Sequence, residues 1–119
     1  MRAELKTIFS LEVDDLAGFS PDDPSHFSVT MRLICRPADD VGEESFDVTV
    51  CSPSWIAQMV EDHRPRLVRH RIVIDRYDWV AIEQYIRQYV NGCSGSGWAE
   101  VAAKLARLGH WEFEDYQDR

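Results

Sequence analysis

The chain has 119 residues, of which 45% are apolar and four are tryptophan, so we expect one domain over residues 1–119 with a substantial core. Its formal net charge of −8 argues against nucleic-acid binding, which needs a basic surface. No apolar run approaches the ~18–20 residues that span a bilayer, so we expect no membrane segment. The charged, alternating start MRAELKTIFSLEV is unlike a signal peptide and predicts a cytoplasmic protein.

The negative charge lies in the first half of the chain and at its end. Residues 1–62 carry 4 basic and 13 acidic groups, whereas residues 63–111 carry 8 basic and 4 acidic groups. Residues 112–119 carry 1 basic and 4 acidic groups. Surfaces formed by the two acidic parts should attract a basic partner.

Three segments in the first half alternate apolar and polar residues, as strands with one buried face do. The second and third strands centre on Met31 and Val48, and the acidic turn PADDVGEE at residues 37–44 between them predicts a hairpin. We expect the first strand to cover residues 3–13. Its predicted buried face comprises Ala3, Leu5, Thr7, Phe9, Leu11 and Val13.

The third strand leads directly into a predicted helix. Ser52 is a good N-cap residue, and Pro53 suits the first helical position because its missing N–H would be unpaired there. We expect the apolar face of this helix to pack on the sheet. That face comprises Trp55, Ile56, Met59 and Val60.

The second half predicts one more strand and two more helices. The fourth strand should contain Val68, His70, Ile72 and Ile74 on its apolar side. It is compatible with a parallel crossover or with an edge position. Apolar spacing predicts a helix capped by Asp78 and another that starts near Trp98, with Gly109 as its C′ residue. The tail should be extended, with Trp111 and Phe113 on one side.

Together these elements predict the α+β class, with a mainly antiparallel four-stranded sheet and about three helices packed on one face. The opposite face is then open, with charges of opposite sign paired across strands, and is a candidate docking surface. The charged residues expected there are Glu4, Lys6, Glu12, Arg32, Arg36, Asp47, Arg69 and Arg71.

Little in the sequence indicates catalysis. A nucleophile set would need Cys51, His70 and an aspartate such as Asp47 or Asp75, but alternation places Cys51 with polar and His70 with apolar side chains. The histidines and cysteines lack metal-binding spacing, and the acidic turn does not match a calcium loop, so we expect no metal. No nucleotide-binding motif occurs, so we expect no cofactor, and three widely spaced cysteines predict reduced thiols.

Several segments resemble one known family, most specifically FDVTVCSPSW at residues 46–55, RYDW at residues 76–79 and GHWEFEDY at residues 109–116. They are similar to the bacterial immunity protein 8 family of polymorphic toxin systems, and the resemblance extends from residue 3 to Tyr116. It implies a small cytoplasmic protein without enzymatic activity, which binds the toxin domain encoded beside it and blocks that domain. It does not identify the toxin or the contact surface.

An acidic inhibitor favours a basic toxin, most readily a nuclease, because opposite charge speeds association. We expect the acidic turn and the tail to bind this toxin. The predicted partner-binding residues are Asp39, Asp40, Glu43, Glu44, Glu112, Glu114, Asp115 and Tyr116. Alternatives remain open: these charges only keep the protein soluble, or the chain is a generic acidic interaction module or a small Cys/His hydrolase. A monomer and a weak dimer are equally compatible with the sequence.

Overall fold

The hairpin formed by the second and third strands is the centre of the fold. The computed structural model describes residues 1–112. In chain order its elements are β1 (Ala3–Phe9), β2 (Ser28–Pro37), β3 (Glu44–Cys51), α1 (Pro53–Met59), β4 (Arg71–Val73), α2 (Trp79–Asn91), α3 (Trp98–Leu105) and β5 (His110–Trp111).

The sheet has the strand order β1-β2-β3-β4, and β5 also pairs with β3. β1, β2 and β3 are antiparallel neighbours and β5 is antiparallel to β3, whereas β4 runs parallel to β3. The predicted α+β class is confirmed, although the sheet is mixed and has a fifth, two-residue strand. The predicted fourth strand is compatible with a parallel crossover or with an edge position. β4 has both features, because it follows a crossover from β3, to which it is parallel, and lies at the edge of the sheet.

Residues that lie opposite each other in β2 and β3 form the centre of the core. Leu33 pairs with Phe46, Met31 pairs with Val48, and each of these side chains is at most 1% exposed. Burying a large apolar side chain stabilises the fold by about 1.5–3 kcal/mol. The alternation predicted for these two strands is therefore confirmed.

Two helices cover this apolar face of the sheet. Asp78 caps α2 as predicted, since its Oδ1 accepts the N–H of Ala81 at 3.2 Å. Trp79 and Tyr89 pack against the core and are partly buried. The fully buried residues of the two helices are Ile82, Ile86, Val90, Val101, Ala102 and Leu105.

The first strand is shorter than predicted and ends at Phe9. Its register shifts between Leu5 and Thr7, which leaves Lys6 as the extra residue of a β-bulge. An extra residue reverses the alternation that follows it, because side chains in a strand alternate with period two. Ile8 therefore packs against the core, and the prediction that Thr7 and Phe9 face the core is wrong.

The prediction that the apolar face of α1 packs on the sheet is wrong, because none of the residues of this helix is buried. Pro53 is the first helical residue as predicted, but the side chain of Ser52 does not cap the helix. Instead, Oγ of Ser52 accepts the N–H of Phe27 at 3.1 Å, and Ser52 is fully buried. This bond joins the end of β3 to the residue before β2. α1 itself lies at the periphery of the fold.

β4 contains only Arg71–Val73, so the predicted fourth strand is too long. His70, expected inside that strand, has a φ of 58°, in the left-handed region that non-glycine residues rarely adopt. Its Nε2 donates a hydrogen bond to the carbonyl of Ala106 at 2.9 Å. His70 therefore fixes the entry to β4 against the end of α3, while Ile72 and Ile74 pack on the core as predicted.

Gly109 does not have its predicted role as the residue that ends the last helix. α3 ends at Leu105, and Gly42 is the only glycine with a positive φ within residues 1–112. A Cβ on Gly109 would lie 3.0 Å from the Cβ of Phe46 and 3.2 Å from the carbonyl oxygen of Asp47. The absence of a side chain therefore allows the chain leading into β5 to approach β3 closely.

Replacing Gly109 with alanine should lower the free energy of unfolding by about 1–3 kcal/mol, because a Cβ 3.0 Å from Phe46 forces β3 or β5 to shift. Urea denaturation measures the loss. Gly92→Ala is the matched control, since a Cβ there makes only ordinary contacts, at 3.4 Å or more, and the backbone is already in the right-handed helical region. Equal stability of the two variants would contradict the role given to Gly109.

Candidate partner-binding surface

Charged side chains on the open face of the sheet form pairs across neighbouring strands. Arg32 lies opposite Asp47, and its Nε and Nη2 donate to the two carboxylate oxygens at 2.8 and 3.0 Å. Glu4 lies opposite Arg36 and forms an ion pair with it at 3.0 Å. The predicted pairing of opposite charges is therefore confirmed. These side chains are 34–41% exposed, so the pairs add little stability but balance each other's charge.

Apolar side chains lie beside these ion pairs. The bulge at Lys6 places Phe9 opposite Arg32, where it is 37% exposed, and Leu11 beyond the strand is 77% exposed. The open face therefore offers apolar contact area next to oriented charges, a composition found in protein interfaces. A shallow cavity of about 130 Å³ on this face is lined by Leu11, Glu12, Thr30, Arg32 and Asp47.

The turn between β2 and β3 presents a cluster of acidic residues at positions 39–44, which we call the acidic tip. Asp39, Asp40 and Glu43 are exposed, and Glu44 is half-buried. One oxygen of Glu44, Oε2, is buried and has no hydrogen-bond partner among the described residues. The structure thus brings all four predicted carboxylates of the turn together at one end of the hairpin.

Val41 projects from the middle of the acidic tip. It is 88% exposed, more than any other large apolar residue in the described part of the chain. Asp40 Oδ1 accepts the N–H of Val41 at 2.7 Å, and Gly42 has a φ of +112°, which glycine adopts far more readily than other residues. A cavity of about 290 Å³ beside Val41 is also lined by Met1 and Trp98. The acidic tip therefore surrounds an apolar patch.

Glu112 is exposed and is the last described residue. Trp111 lies opposite Phe46 in an antiparallel pair, so β5 runs toward the acidic tip. The hydrogen bonds and charge of Asp47 raise the pKa of Arg32, and the charge of Glu112 adds to this effect. Glu112 therefore adds negative charge beside the Arg32 pair. The other predicted tail residues lie outside the described residues: Phe113, Glu114, Asp115 and Tyr116.

The side chains considered for catalysis are poorly placed for it. Cys51 is fully buried, and His70 already uses Nε2 to bind a backbone carbonyl. A nucleophile has to reach its substrate, and its base has to be available to it. Within residues 1–112, no group of three side chains is arranged to hold a metal ion. No helix in this range has the length and apolar character of a membrane span.

The three cysteines are free thiols and all are buried, in agreement with the predicted reduced state. Burial raises the pKa of Cys35 to about 12, and burial also raises the pKa of Cys93. Because the thiolate is the reactive form, these two thiols are weak nucleophiles at neutral pH.

A family model described as Immunity protein 8 matches residues 3–116, nearly the whole chain. The chain belongs to the Immunity protein 8 family. The resemblance seen in the sequence is thereby confirmed, and the family is one of immunity proteins from polymorphic toxin systems. Neither a curated protein nor a solved structure matches the chain.

In this Immunity protein 8 chain, the sequence shows that the carboxylates of the tip share one turn, but it does not indicate which apolar residues are exposed. Val41 stands alone in a polar turn, so no periodicity points to it. Phe9 and Leu11 fit the alternation of a buried face, and only the bulge shows that they are exposed. Trp98, at the predicted start of a helix, is partly buried and also lines the cavity beside the tip.

The free energy of unfolding of this Immunity protein 8 chain should decrease as the pH rises above about 9. The pKa of Cys35 rises from 9.0 to about 12, and that of Tyr77 rises from 10.0 to about 12, chiefly because both groups are buried. The unfolded chain therefore binds fewer protons in this range, so the free energy of unfolding decreases with pH.

Urea unfolding at several pH values between about 7 and 11 measures this decrease. Tyr77→Phe should flatten the alkaline part of the curve, although it also removes the bond from the Tyr77 hydroxyl to the carbonyl of Leu16. Tyr85→Phe is the control, because Tyr85 is 51% exposed. Parallel curves for the two variants would contradict the contribution of Tyr77.

Proposed function

We propose that this chain binds the toxin domain encoded beside it and neutralises that domain without catalysis, by occupying a surface the toxin needs. Family membership supports a role in toxin immunity. The burial of Cys51 and the carbonyl bound by His70 speak against a small hydrolase. The same proposal places the protein in the cytoplasm, where it protects the cell that makes the toxin.

The acidic tip is the proposed contact surface, and the exposure of Val41 is the observation that carries this proposal. Val41 is 88% exposed, its backbone is held by Asp40, and it adjoins a cavity lined by Trp98. An apolar centre with a polar rim is the usual anatomy of a protein interface. Charges that serve only solubility give no reason for the apolar centre.

The charge of the tip favours a basic partner. Asp39, Asp40 and Glu43 are exposed at one point of a chain with net charge −8, and Glu112 is exposed directly after β5, which runs toward them. A toxin domain that acts on nucleic acid needs basic residues for phosphate contact. Opposite charges raise association rates to as much as ~10⁸–10⁹ M⁻¹s⁻¹ at low salt. We therefore propose a nuclease-type toxin as the partner.

Co-expression tests the toxin assignment. The last ~150 residues of the protein encoded directly upstream, about one domain, should kill a sensitive host when expressed alone. They should be harmless with this protein, and a pull-down should recover a direct complex. Cys51→Ala and His70→Gln variants that remain folded should still protect, because the proposed inhibition uses no nucleophile. Toxicity that the wild-type chain cannot relieve would leave a generic acidic interaction module as the better interpretation.

Charge reversal tests the surface. The triple variant with lysine at Asp39, Asp40 and Glu43 should associate with the toxin domain about tenfold more slowly at low salt, because steering is lost. Its association rate should also depend less on salt. Glu44 is left unchanged because one of its oxygens is buried. Stopped-flow fluorescence at several salt concentrations measures both effects.

A matched variant separates local from overall charge. Lysine at Asp22, Glu61 and Asp75 changes the net charge equally, and these three residues are exposed and lie away from the tip in sequence. This control should associate at a rate close to that of the wild type. If both triple variants slow association equally, the acidic tip is not the contact and only the net charge matters.

A further inference from the structure

A groove of about 440 Å³ lies along β4, on the side that faces α2. Ile72, Ile82 and Leu108 contribute apolar lining. Val73 and Tyr85 also line it, and each is 51% exposed. The groove is therefore an open surface of mixed apolar and polar character at one edge of the sheet, and the proposed toxin contact does not use it.

The backbone of β4 has hydrogen-bonding groups directed toward this groove. β4 has β3 as its only neighbour in the sheet formed by residues 1–112. The N–H of Ile74 donates to the carbonyl of Cys51 at 3.1 Å. In a parallel ladder only every second residue bonds to a given neighbour, so this bond fixes which residues of β4 direct their backbone groups toward β3. Arg71 and Val73 consequently direct their N–H and C=O groups away from β3, and the described residues supply no backbone partner for them. Such an edge is able to pair with one more strand.

The charge around the groove is positive, opposite to that of the chain as a whole. Arg71 and Arg107 line the groove, and no acidic residue among those described lines it. Nη1 of Arg71 is buried and has no acceptor among the described residues. A carboxylate placed in the groove would be attracted by the positive charges of the two arginines that line it.

We infer that this groove binds an extended acidic segment of a partner protein, which pairs with β4 as an additional strand. Side chains of a strand alternate between two faces. One set therefore faces the side of the sheet that α2 covers, where Ile82, Tyr85 and Arg107 line the groove, and carboxylates of the other set reach Arg71. Main-chain bonds to Arg71 and Val73 supply affinity, and the two guanidinium groups supply selectivity for acidic sequences. The inference concerns the isolated chain and does not depend on the toxin assignment.

A synthetic probe tests the groove directly. A fluorescein-labelled heptapeptide of alternating glutamate and valine should bind the full-length protein saturably, as followed by fluorescence anisotropy. The same peptide with lysine in place of glutamate should bind at least tenfold more weakly. No saturable binding of the acidic probe at protein concentrations up to about 1 mM would overturn the inference.

Paired variants locate the binding. Val73→Pro removes the outward N–H without removing a bond to β3, which an edge strand tolerates, and should weaken probe binding at least tenfold. Val73→Ala keeps that N–H and should change binding less than threefold. Arg107→Gln should weaken binding severalfold, whereas Arg64→Gln, whose side chain is 76% exposed elsewhere, should not. Equal effects within each pair would overturn the inference.

Two further measurements keep the result interpretable. Circular dichroism shows whether Val73→Pro keeps the fold. If it does not, the backbone of the probe peptide is N-methylated on alternate residues, in two complementary patterns. Only one of the two patterns should abolish binding to the wild-type protein. Sedimentation at rising concentration tests the other occupant. Dimerisation that Val73→Pro abolishes would assign the groove to a second copy of this chain and overturn the proposal of a separate acidic partner.

Discussion

The pairing of β2 with β3 is the interaction on which the rest of the structure depends. Eight consecutive residue pairs join these strands without a shift in register. A slip of one residue would move Leu33 and Phe46 from the core to the open face, because the side-chain period is two. The core supplies most of the favourable free energy of folding, so this register is strongly selected. The helices and the remaining strands take their positions from it.

β3 also decides which charges lie together. β2 occupies one edge of β3, while β4 and β5 share the other, β4 beside residues 49–51 and β5 beside residues 46–47. The acidic tip precedes β3, and the basic groove lies by β4 near its opposite end. Eight strand residues separate the two by about 26 Å, well beyond the screening length of about 8 Å at physiological salt. Each surface therefore keeps its own sign, and one molecule presents an acidic and a basic surface.

Local signals were sufficient for much of the fold. The hairpin, the Asp78 cap and the buried stripes of α2 and α3 all followed from period-two or helical spacing, because those residues form regular elements against one core. Apart from the packing of α1, the main errors occurred where an element is irregular. The bulge at Lys6 and the left-handed conformation of His70 satisfy pairing and packing with distant residues. Neither feature can be recognised from the local pattern of residue types.

The sequence by itself determined the α+β class and the concentration of acidic residues in one turn, since composition and periodicity record which residues must be buried. The family came from the resemblance of residues 46–55, 76–79 and 109–116 to a known family. Only the tertiary structure decided which surfaces are available for binding. It turned Phe9 and Leu11 outward, left α1 outside the core and placed Val41 at the centre of the acidic tip. The exposure of a residue depends on whether a segment distant in sequence packs over it. The local pattern of residue types does not show which segment that is.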